Sequence, residues 1–244
     1  PFFLYVPYSM PHTPIFRSDA FIERSLGGRY GDVIEELDWS VGKIVSALDE
    51  LGLRGQTLVL FTSDNGPWLL MDSHGGTAGL LRQGKATTFE GGMRVPMIVS
   101  RPGWVTPGTV SDLGSTLDVF ATVAALAGVA APATDGFDLS PVLRGSGGSP
   151  RDEFAYYRGS ELRAYRMGPW KLHLVTEGAY NRPPPRVVHE QPLLYHLGED
   201  PGERFDVADQ YPEIVAELKA AIARHRASTP VAAPIMDKRL EGGA

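Results

Sequence analysis

Residues 57–96 carry the densest set of structural signals in the chain: TLVLFTSDNGPWLLMDSHGGTAGLLRQGKATTFEGGMRVP. The stretch opens with six residues rich in β-forming side chains, 57–62, and then breaks into the turn sequence SDNGP at 63–67. A short apolar run closed by such a turn predicts a buried strand that ends in a loop. The apolar run 97–100 that follows predicts a second strand.

Asp64 and Asn65 lie in the turn that ends the first predicted strand. In α/β sheets, ligands bind in the crevice beyond the carboxyl ends of the strands, so this turn is a candidate binding position. A carboxylate beside an amide carbonyl offers the hard oxygen ligands that suit Ca²⁺ or Mg²⁺. An Asp-Asn-Gly sequence is also an ordinary turn that needs no metal, and these residues alone leave both interpretations open.

Lys85, His12 and His74 are the other candidate site residues. Lys85 follows Gly84 and precedes the glycine pair of FEGGM, so the backbone can approach a ligand while the ammonium binds an anion. His12 lies between prolines in MPHTP, outside any helix or central strand, where an imidazole can donate a proton to an anionic oxygen. His74 lies in the long segment 68–83, and such loops often shape substrate pockets. A solvated lysine and two incidental loop histidines are the simpler interpretation.

The composition excludes several classes of protein. The chain has 244 residues, of which 43% are hydrophobic, enough for a substantial core in one large or two modest domains. A net charge of −6 argues against a nucleic-acid partner. There is no cysteine for a disulfide or a thiolate metal site, and no apolar run near the length of a membrane span.

The remaining segments predict an α/β domain followed by a smaller α+β subdomain. Apolar residues three and four apart predict a long amphipathic helix over 29–52, which leads into the strand at 57 as in an α/β sheet. The Gly/Ser-rich stretch 145–150 predicts a linker, which divides the chain into an α/β part, 1–148, and a C-terminal subdomain, 149–244. Short β-like runs are predicted at 154–157, 162–167, 170–176 and 193–197. A surface loop is predicted at 178–192 and a final helix at 212–226.

The opening sequence PFFLYV, residues 1–6, predicts a core strand that has no preceding cap, loop or start methionine. We therefore expect the chain to be a piece of a longer protein. A sheet without its neighbouring strands would leave an edge or an apolar face uncovered. We accordingly expect either homo-oligomers or structural support from a partner chain.

Several separated motifs together resemble the sulfatase family. They are PFFLYVPYSMPHTP at 1–14, SDNG at 63–66, GKATTFEGGMRVP at 84–96, DGFDLSPVL at 135–143 and LLYHLGEDPGE at 193–203. Their order is similar to that in the branch containing arylsulfatase A and N-acetylgalactosamine-6-sulfatase, in its C-terminal portion only. The resemblance implies an α/β, alkaline phosphatase-like fold: a partial mixed or parallel sheet flanked by helices, with a small C-terminal antiparallel sheet plus helix subdomain.

The resemblance also implies roles for the candidate residues. Asp64 and Asn65 match two ligands of a divalent cation, Ca²⁺ with Mg²⁺ as the alternative, which polarises the sulfate. Lys85 matches the lysine that binds a sulfate oxygen, and His12 matches the histidine that assists departure of the alcohol. His74 is a candidate for contacting the substrate.

The nucleophile of the family is a formylglycine made from Cys or Ser, and this chain contains neither its motif nor the early Asp-Asp pair of the metal site. The implied parent enzyme hydrolyses aryl or carbohydrate sulfate esters, so its substrate is a sulfated small molecule or glycan. We expect this chain alone to be inactive without the missing N-terminal half.

The alternatives are a phosphatase or phosphodiesterase of the same superfamily, and a non-catalytic fragment that acts as an assembly partner. The implied location is periplasmic, secreted or lysosomal.

Overall fold

The computed structural model describes residues 1–232, and its first long element is helix α1, Gly28–Glu50. The spacing of apolar residues predicted this helix, and Val33 on its inner face is almost completely buried. At its end the N–H of Leu53 donates to the carbonyl of Leu48 across Gly52, which adopts φ 68°. This left-handed glycine is the predicted stop of the helix.

A two-stranded antiparallel sheet carries the central motifs. Strands β1, Val59–Thr62, and β2, Met97–Ser100, pair along their whole length. Both strands were predicted from their apolar runs. Between them lie the SDNGP turn, a 3-10 segment at Leu69–His74 and the short helix α2, Glu90–Met93. The pair β1–β2 is antiparallel and stands, within the described residues, where the partial α/β sheet was predicted.

The segment after β2 contains helices α3, Leu117–Leu126, and α4, Ser140–Leu143. Asp118 in the first turn of α3 is completely buried and pairs with Arg151 at 2.5 Å. The Gly/Ser-rich stretch after α4 is held at Ser149, whose N–H donates to a carboxylate of the loop that precedes α3. The stretch predicted as a linker is therefore tied to the rest of the chain.

The C-terminal part is a four-stranded antiparallel sheet in the order β3-β4-β5-β6, packed against helix α5, Pro212–Ser228. Leu172 and Leu194 of the sheet and Leu218 of the helix are fully buried in a common hydrophobic core. The predicted antiparallel sheet plus helix is confirmed. The strand bounds are Glu153–Arg158 for β3, Glu161–Met167 for β4, Trp170–Thr176 for β5 and Val187–His196 for β6.

Two local predictions are wrong. Residues 1–6 form no strand, because no strand among residues 1–232 pairs with them, and Phe3 is 80% exposed. The surface loop predicted over 178–192 ends earlier, since β6 begins at Val187 and extends the pairing with β5.

Within residues 1–232, no helix combines the length and the apolar character needed to cross a bilayer.

Candidate functional site

The two central motifs are hydrogen-bonded to each other through their backbones. The N–H of Gly66 donates to the carbonyl of Gly92 at 3.0 Å, and the N–H of Lys85 donates to the carbonyl of Pro67 at 2.8 Å. An added Cβ on Gly66 would lie 1.8 Å from the carbonyl oxygen of Gly91, so the two backbones approach as closely as glycine allows. The turn of the predicted metal ligands is therefore fixed against the segment of the predicted catalytic lysine.

Trp68 is a neighbour of both predicted catalytic residues. Its ring centroid lies 5.8 Å from the ring centroid of His12, and the ammonium of Lys85 lies 5.6 Å from the same indole. A cation at that distance is attracted by the electrons of the indole ring. The Nε1 of Trp68 is buried and finds no acceptor within residues 1–232. Residues that are far apart in the sequence thus share one aromatic neighbour.

His12 has a defined arrangement of its ring nitrogens. Its Nδ1 lies 2.7 Å from the carbonyl oxygen of Thr13, and because a carbonyl only accepts, Nδ1 carries a proton. Nε2 is then the free nitrogen of the neutral ring. Protonation at Nε2 produces an imidazolium that can donate this proton to the oxygen of a leaving alcohol.

Asp64 and Asn65 occupy the turn directly after β1, as predicted, with Asp64 exposed and Asn65 half-buried. Their carboxylate and amide oxygens are of the kind that Ca²⁺ and Mg²⁺ take. Within residues 1–232, no group of three or more His, Cys, Asp or Glu side chains is arranged to hold a metal ion. The donors therefore fit such a cation in kind, but two residues supply only part of the six or more oxygens that Ca²⁺ requires.

His74 ends the 3-10 segment and is half-buried. The carbonyl of its neighbour Gly75 accepts a hydrogen bond from the N–H of Trp68 at 3.1 Å. His74 is thus adjacent in sequence to a backbone contact of the central tryptophan. Its role as a substrate-contacting residue stays a prediction.

A buried charge cluster, formed by Glu90, Lys171, His173 and Glu203, joins this site to the C-terminal sheet. The ammonium of Lys171 on β5 lies 2.9 Å from Oε1 of Glu90 and 3.0 Å from Oε1 of Glu203. Glu203 also lies 2.6 Å from Nε2 of His173 and accepts the backbone N–H of Glu90 at 2.6 Å. All four side chains are at most 1% exposed. Glu90 is the first residue of α2, so the cluster anchors the end of the segment that begins at Lys85.

Cations already surround His173 and the two carboxylates: Lys171 contacts both carboxylates, and Arg166 lies 3.9 Å from Glu90. Burial opposes the charge on Lys171, but Glu90 and Glu203 outweigh it and raise the pKa of the ammonium. Burial likewise opposes the charge on Glu203, yet Lys171 and the hydrogen bond from His173 lower its pKa to about 2. Burial lowers the pKa of His173 by more than the bond to Glu203 raises it. The neutral imidazole donates from Nε2, which leaves Nδ1 without a partner within residues 1–232.

Sequence reasoning missed both Trp68 and the buried charge cluster. Trp68 was only the first residue of a predicted loop, although an aromatic side chain directly after SDNGP was a usable signal. In β5, Lys171 and His173 occupy alternate positions of a run that is otherwise apolar up to Val175, which was the available signal for buried polar groups. Their partner Glu90 lies 81 residues from Lys171, so no local pattern could identify it.

A cavity of about 600 Å³ lies between the C-terminal sheet and the end of α5, and it is lined by residues such as Tyr157, His189 and Arg226. None of the five predicted site residues lines it. None of its lining residues belongs to the central motifs at 63–67 and 84–96. The hydrogen-bonded motifs and their shared tryptophan, rather than the volume of a cavity, identify the candidate site.

Comparison with known proteins agrees with this site and fold. The architecture is that of the alkaline phosphatase-like sulfatases: the crystal structure of the PsFucS1 sulfatase from Pseudoalteromonas sp. superposes with a TM-score of 0.83 at 24% identity, over 91% of this chain and 48% of that one. A family model described as Sulfatase matches residues 1–129, and one described as the C-terminal region of aryl-sulfatase matches residues 149–240. The chain belongs to the sulfatase family.

Two curated relatives are similar over nearly the whole chain. Arylsulfatase A of Bos taurus is 44% identical over 239 residues, which cover 91% of this chain and 47% of that protein. N-acetylgalactosamine-6-sulfatase of Mus musculus is 41% identical over 255 residues, which cover 93% of this chain and 49% of that protein. The chain spans about half the length of these relatives and matches their C-terminal portion.

Proposed function

We propose that this chain forms the C-terminal part of a Ca²⁺-dependent sulfatase, with Mg²⁺ as the alternative cation, whose parent protein hydrolyses aryl or carbohydrate sulfate esters. The observation that supports this most directly is the convergence of Lys85 and His12 on the ring of Trp68. The turn of Asp64 and Asn65 is fixed next to them by the backbone bonds between the two motifs. A cation and a proton donor in one place suit a tetrahedral oxyanion that is losing an alcohol.

Each of these side chains has a specific task in the proposed reaction. The ammonium of Lys85 binds a sulfate oxygen and offsets the charge that develops when the bond between sulfur and the alcohol oxygen breaks. His12, charged and held by its Nδ1–H bond to Thr13, donates the Nε2 proton to the leaving alcohol. The interlocked glycine backbones keep the lysine segment from moving away from the turn.

Asp64 and Asn65 are the residues that would hold the divalent cation. When bound, the cation supplies Lewis-acid polarisation of the sulfate. The early Asp-Asp pair and the formylglycine of the family have no counterpart in this sequence, which contains no cysteine. The proposal therefore includes an N-terminal half as a required partner, with this chain inactive alone, and a periplasmic, secreted or lysosomal location.

Binding of inorganic sulfate to the 244-residue chain tests the proposed site. We expect Lys85→Met to weaken sulfate binding in the presence of Ca²⁺ by about tenfold or more, since a charged hydrogen bond is lost. The matched control is Lys43→Met, because the ammonium of Lys43 also lies 5.6 Å from an indole ring, that of Trp39. Isothermal titration calorimetry gives both affinities, and an equal loss in the two variants would contradict the proposal.

Turnover provides a second test. We expect the purified chain to show no repeated hydrolysis of 4-nitrophenyl sulfate, because the nucleophile of the family has no counterpart in it. Sustained turnover would mean that the chain carries a nucleophile of its own. Tighter Lys85-dependent binding of inorganic phosphate than of sulfate would favour the phosphatase interpretation instead.

A further inference from the structure

The loop between β5 and β6 reaches the candidate site from the C-terminal sheet. The ring centroid of Tyr180 lies 5.5 Å from that of Trp68, with 40° between the ring planes. Gln83, two residues before Lys85, donates from Nε2 to the carbonyl of Pro183 at 3.2 Å. The sequence predicted only a surface loop here. The structure instead places this loop against the central tryptophan and the lysine segment.

The loop, residues 177–186, has a closed shape. The N–H of Gly178 donates to the carbonyl of Pro184 at 2.7 Å, and the N–H of Arg182 donates to the carbonyl of Ala179 at 2.9 Å. An added Cβ on Gly178 would lie 2.1 Å from the carbonyl oxygen of Arg182, so the closure requires glycine at this position. A loop closed in this way presents its tip residues in a fixed orientation, which is what recognition of a ligand needs.

The backbone is strained on both sides of the contact. Tyr180 and Asn181 adopt φ 53° and 61°, while Gln83 and Ala86, which flank Lys85, adopt φ 63° and 70°. These are four of the seven non-glycine residues with positive φ in the described part of the chain. Such conformations are costly for residues with a Cβ, and they occur preferentially at ligand sites. The strain is thus concentrated in the two segments that meet at the candidate site.

We propose that Tyr180 is a specificity-determining residue, whose ring binds the ring of the alcohol portion of the substrate while Lys85 binds the sulfate. Tyr180 packs on Trp68 but remains 45% exposed, so part of its ring is open to a ligand. Aromatic side chains attract flat apolar surfaces, which phenols and pyranoses both present. The inference rests on the proposed function and adds the residue that selects ring alcohols over small aliphatic alcohols.

Four ligands separate ring recognition from sulfate recognition: phenyl sulfate, galactose 6-sulfate, methyl sulfate and inorganic sulfate. Their affinities for the 244-residue chain follow from the indole N–H signal of Trp68 in NMR titrations, assigned with Trp68→Phe. We expect Tyr180→Ala to raise the Kd of phenyl sulfate by about 2- to 12-fold and to raise that of the galactose ester, with methyl and inorganic sulfate unchanged. Tyr180→Phe keeps the ring and should bind as the unaltered chain does.

Tyr211→Ala is the matched control, because Tyr211 also packs on an indole, that of Trp170, at 4.8 Å. Tyr180→Leu keeps the bulk without the aromatic ring, and we expect it to lose the preference for ring esters without losing sulfate binding. If Tyr180→Ala weakens all four ligands equally, or if phenyl sulfate binds no better than methyl sulfate, the inference is overturned while Lys85-dependent sulfate binding still supports the proposed function. If inorganic sulfate fails to bind, the proposed function fails and the inference with it.

Discussion

The ammonium of Lys171, on β5, lies 2.9 Å from Oε1 of Glu90, the first residue of α2, and neither side chain is more than 1% exposed. The bond spans 81 residues of sequence and connects the lysine-bearing motif to the C-terminal sheet. A buried ion pair contributes little net stability compared with a well-packed apolar pair, but removal of one partner leaves an uncompensated buried charge. The two parts of the fold therefore depend on each other through this contact.

Lys171→Met should lower the free energy of unfolding by about 3–5 kcal/mol, because it leaves the carboxylates of Glu90 and Glu203 buried without their cation. Urea unfolding followed by circular dichroism measures the change. Lys219→Met, at an exposed position of α5, is the control and should change stability by no more than about 0.5 kcal/mol. A loss of similar size in both variants would show that the buried ammonium has no special role.

The same cluster predicts a loss of stability in acid, in two steps. The pKa of His173 is lowered in the folded state, so the unfolded chain binds this proton more tightly, and stability falls as the pH falls through 6.5 and continues to fall until the folded chain also takes up the proton. The pKa of Glu203 is lowered from 4.5 to about 2, so its contribution is complete well above pH 4.5 and is lost as the pH falls through 4.5 to about 2. That second step amounts to about 3 kcal/mol.

His173→Gln tests the first step, because glutamine can still donate to Glu203 but takes up no proton. We expect its free energy of unfolding to change less between pH 8 and pH 5 than that of the unaltered chain. Urea unfolding at a series of pH values measures the slope, and His74→Gln, which replaces a histidine outside the cluster, should keep the steeper one. Equal slopes for all three proteins would rule out His173 as the titrating group.

Gly66→Ala should destabilise the chain by about 1–3 kcal/mol or more, because its Cβ would lie 1.8 Å from the carbonyl oxygen of Gly91. The two motifs would have to separate, and the Gly66–Gly92 hydrogen bond would lengthen. Gly42→Ala is the matched control inside α1, where an added Cβ meets nothing within 4 Å, and it should stabilise the helix by about 0.5–1 kcal/mol. Thermal unfolding of the two variants should therefore shift in opposite directions, and a shift of the same sign would contradict the close approach.

The parts of the fold that the sequence could predict are those with a local pattern. Helix α1 and its stop at Gly52 followed from apolar spacing and one glycine, and the strands on either side of the central motifs followed from short apolar runs closed by turns. The C-terminal hairpins had equally local signals. Periodicity reports which face of an element is buried, but it does not report what covers that face. Residues 1–6 show this limit: their sequence is that of a strand, yet no partner strand exists within residues 1–232.

Candidate site residues could be predicted only where they lie in a short sequence motif that resembles the family's. Asp64, Asn65, Lys85 and His12 became candidates because the resemblance to sulfatases assigned roles to short sequences, and the structure adds Trp68 as a common neighbour of His12 and Lys85. Tyr180 was not among the candidates, because its contact with that tryptophan depends on how a loop of the C-terminal sheet folds back. Contacts of this kind depend on tertiary packing, and they produce no periodic pattern in the sequence.

Asp118 and Arg151 form a further buried ion pair between distant segments, and we expect the two residues to be strongly coupled. The carboxylate accepts from Nε of the guanidinium at 2.8 and 3.1 Å and from its Nη2 at 2.5 Å, as well as from the N–H groups of Ser115 and Phe137. Asp118→Ala should therefore cost about 3–5 kcal/mol, since it leaves a buried cation and two backbone donors without their acceptor.

A double-mutant cycle with Arg151→Met measures this coupling in urea unfolding. Because removal of both charges avoids the unpaired ion, the double variant Asp118→Ala/Arg151→Met should be more stable than the sum of the single losses predicts, by about 1–3 kcal/mol. Arg224→Met, in the exposed pair with Glu153, is the control, and it should cost no more than about 1 kcal/mol because solvent screens that pair. If the losses from Asp118 and Arg151 simply add, the two segments are held by packing rather than by this ion pair.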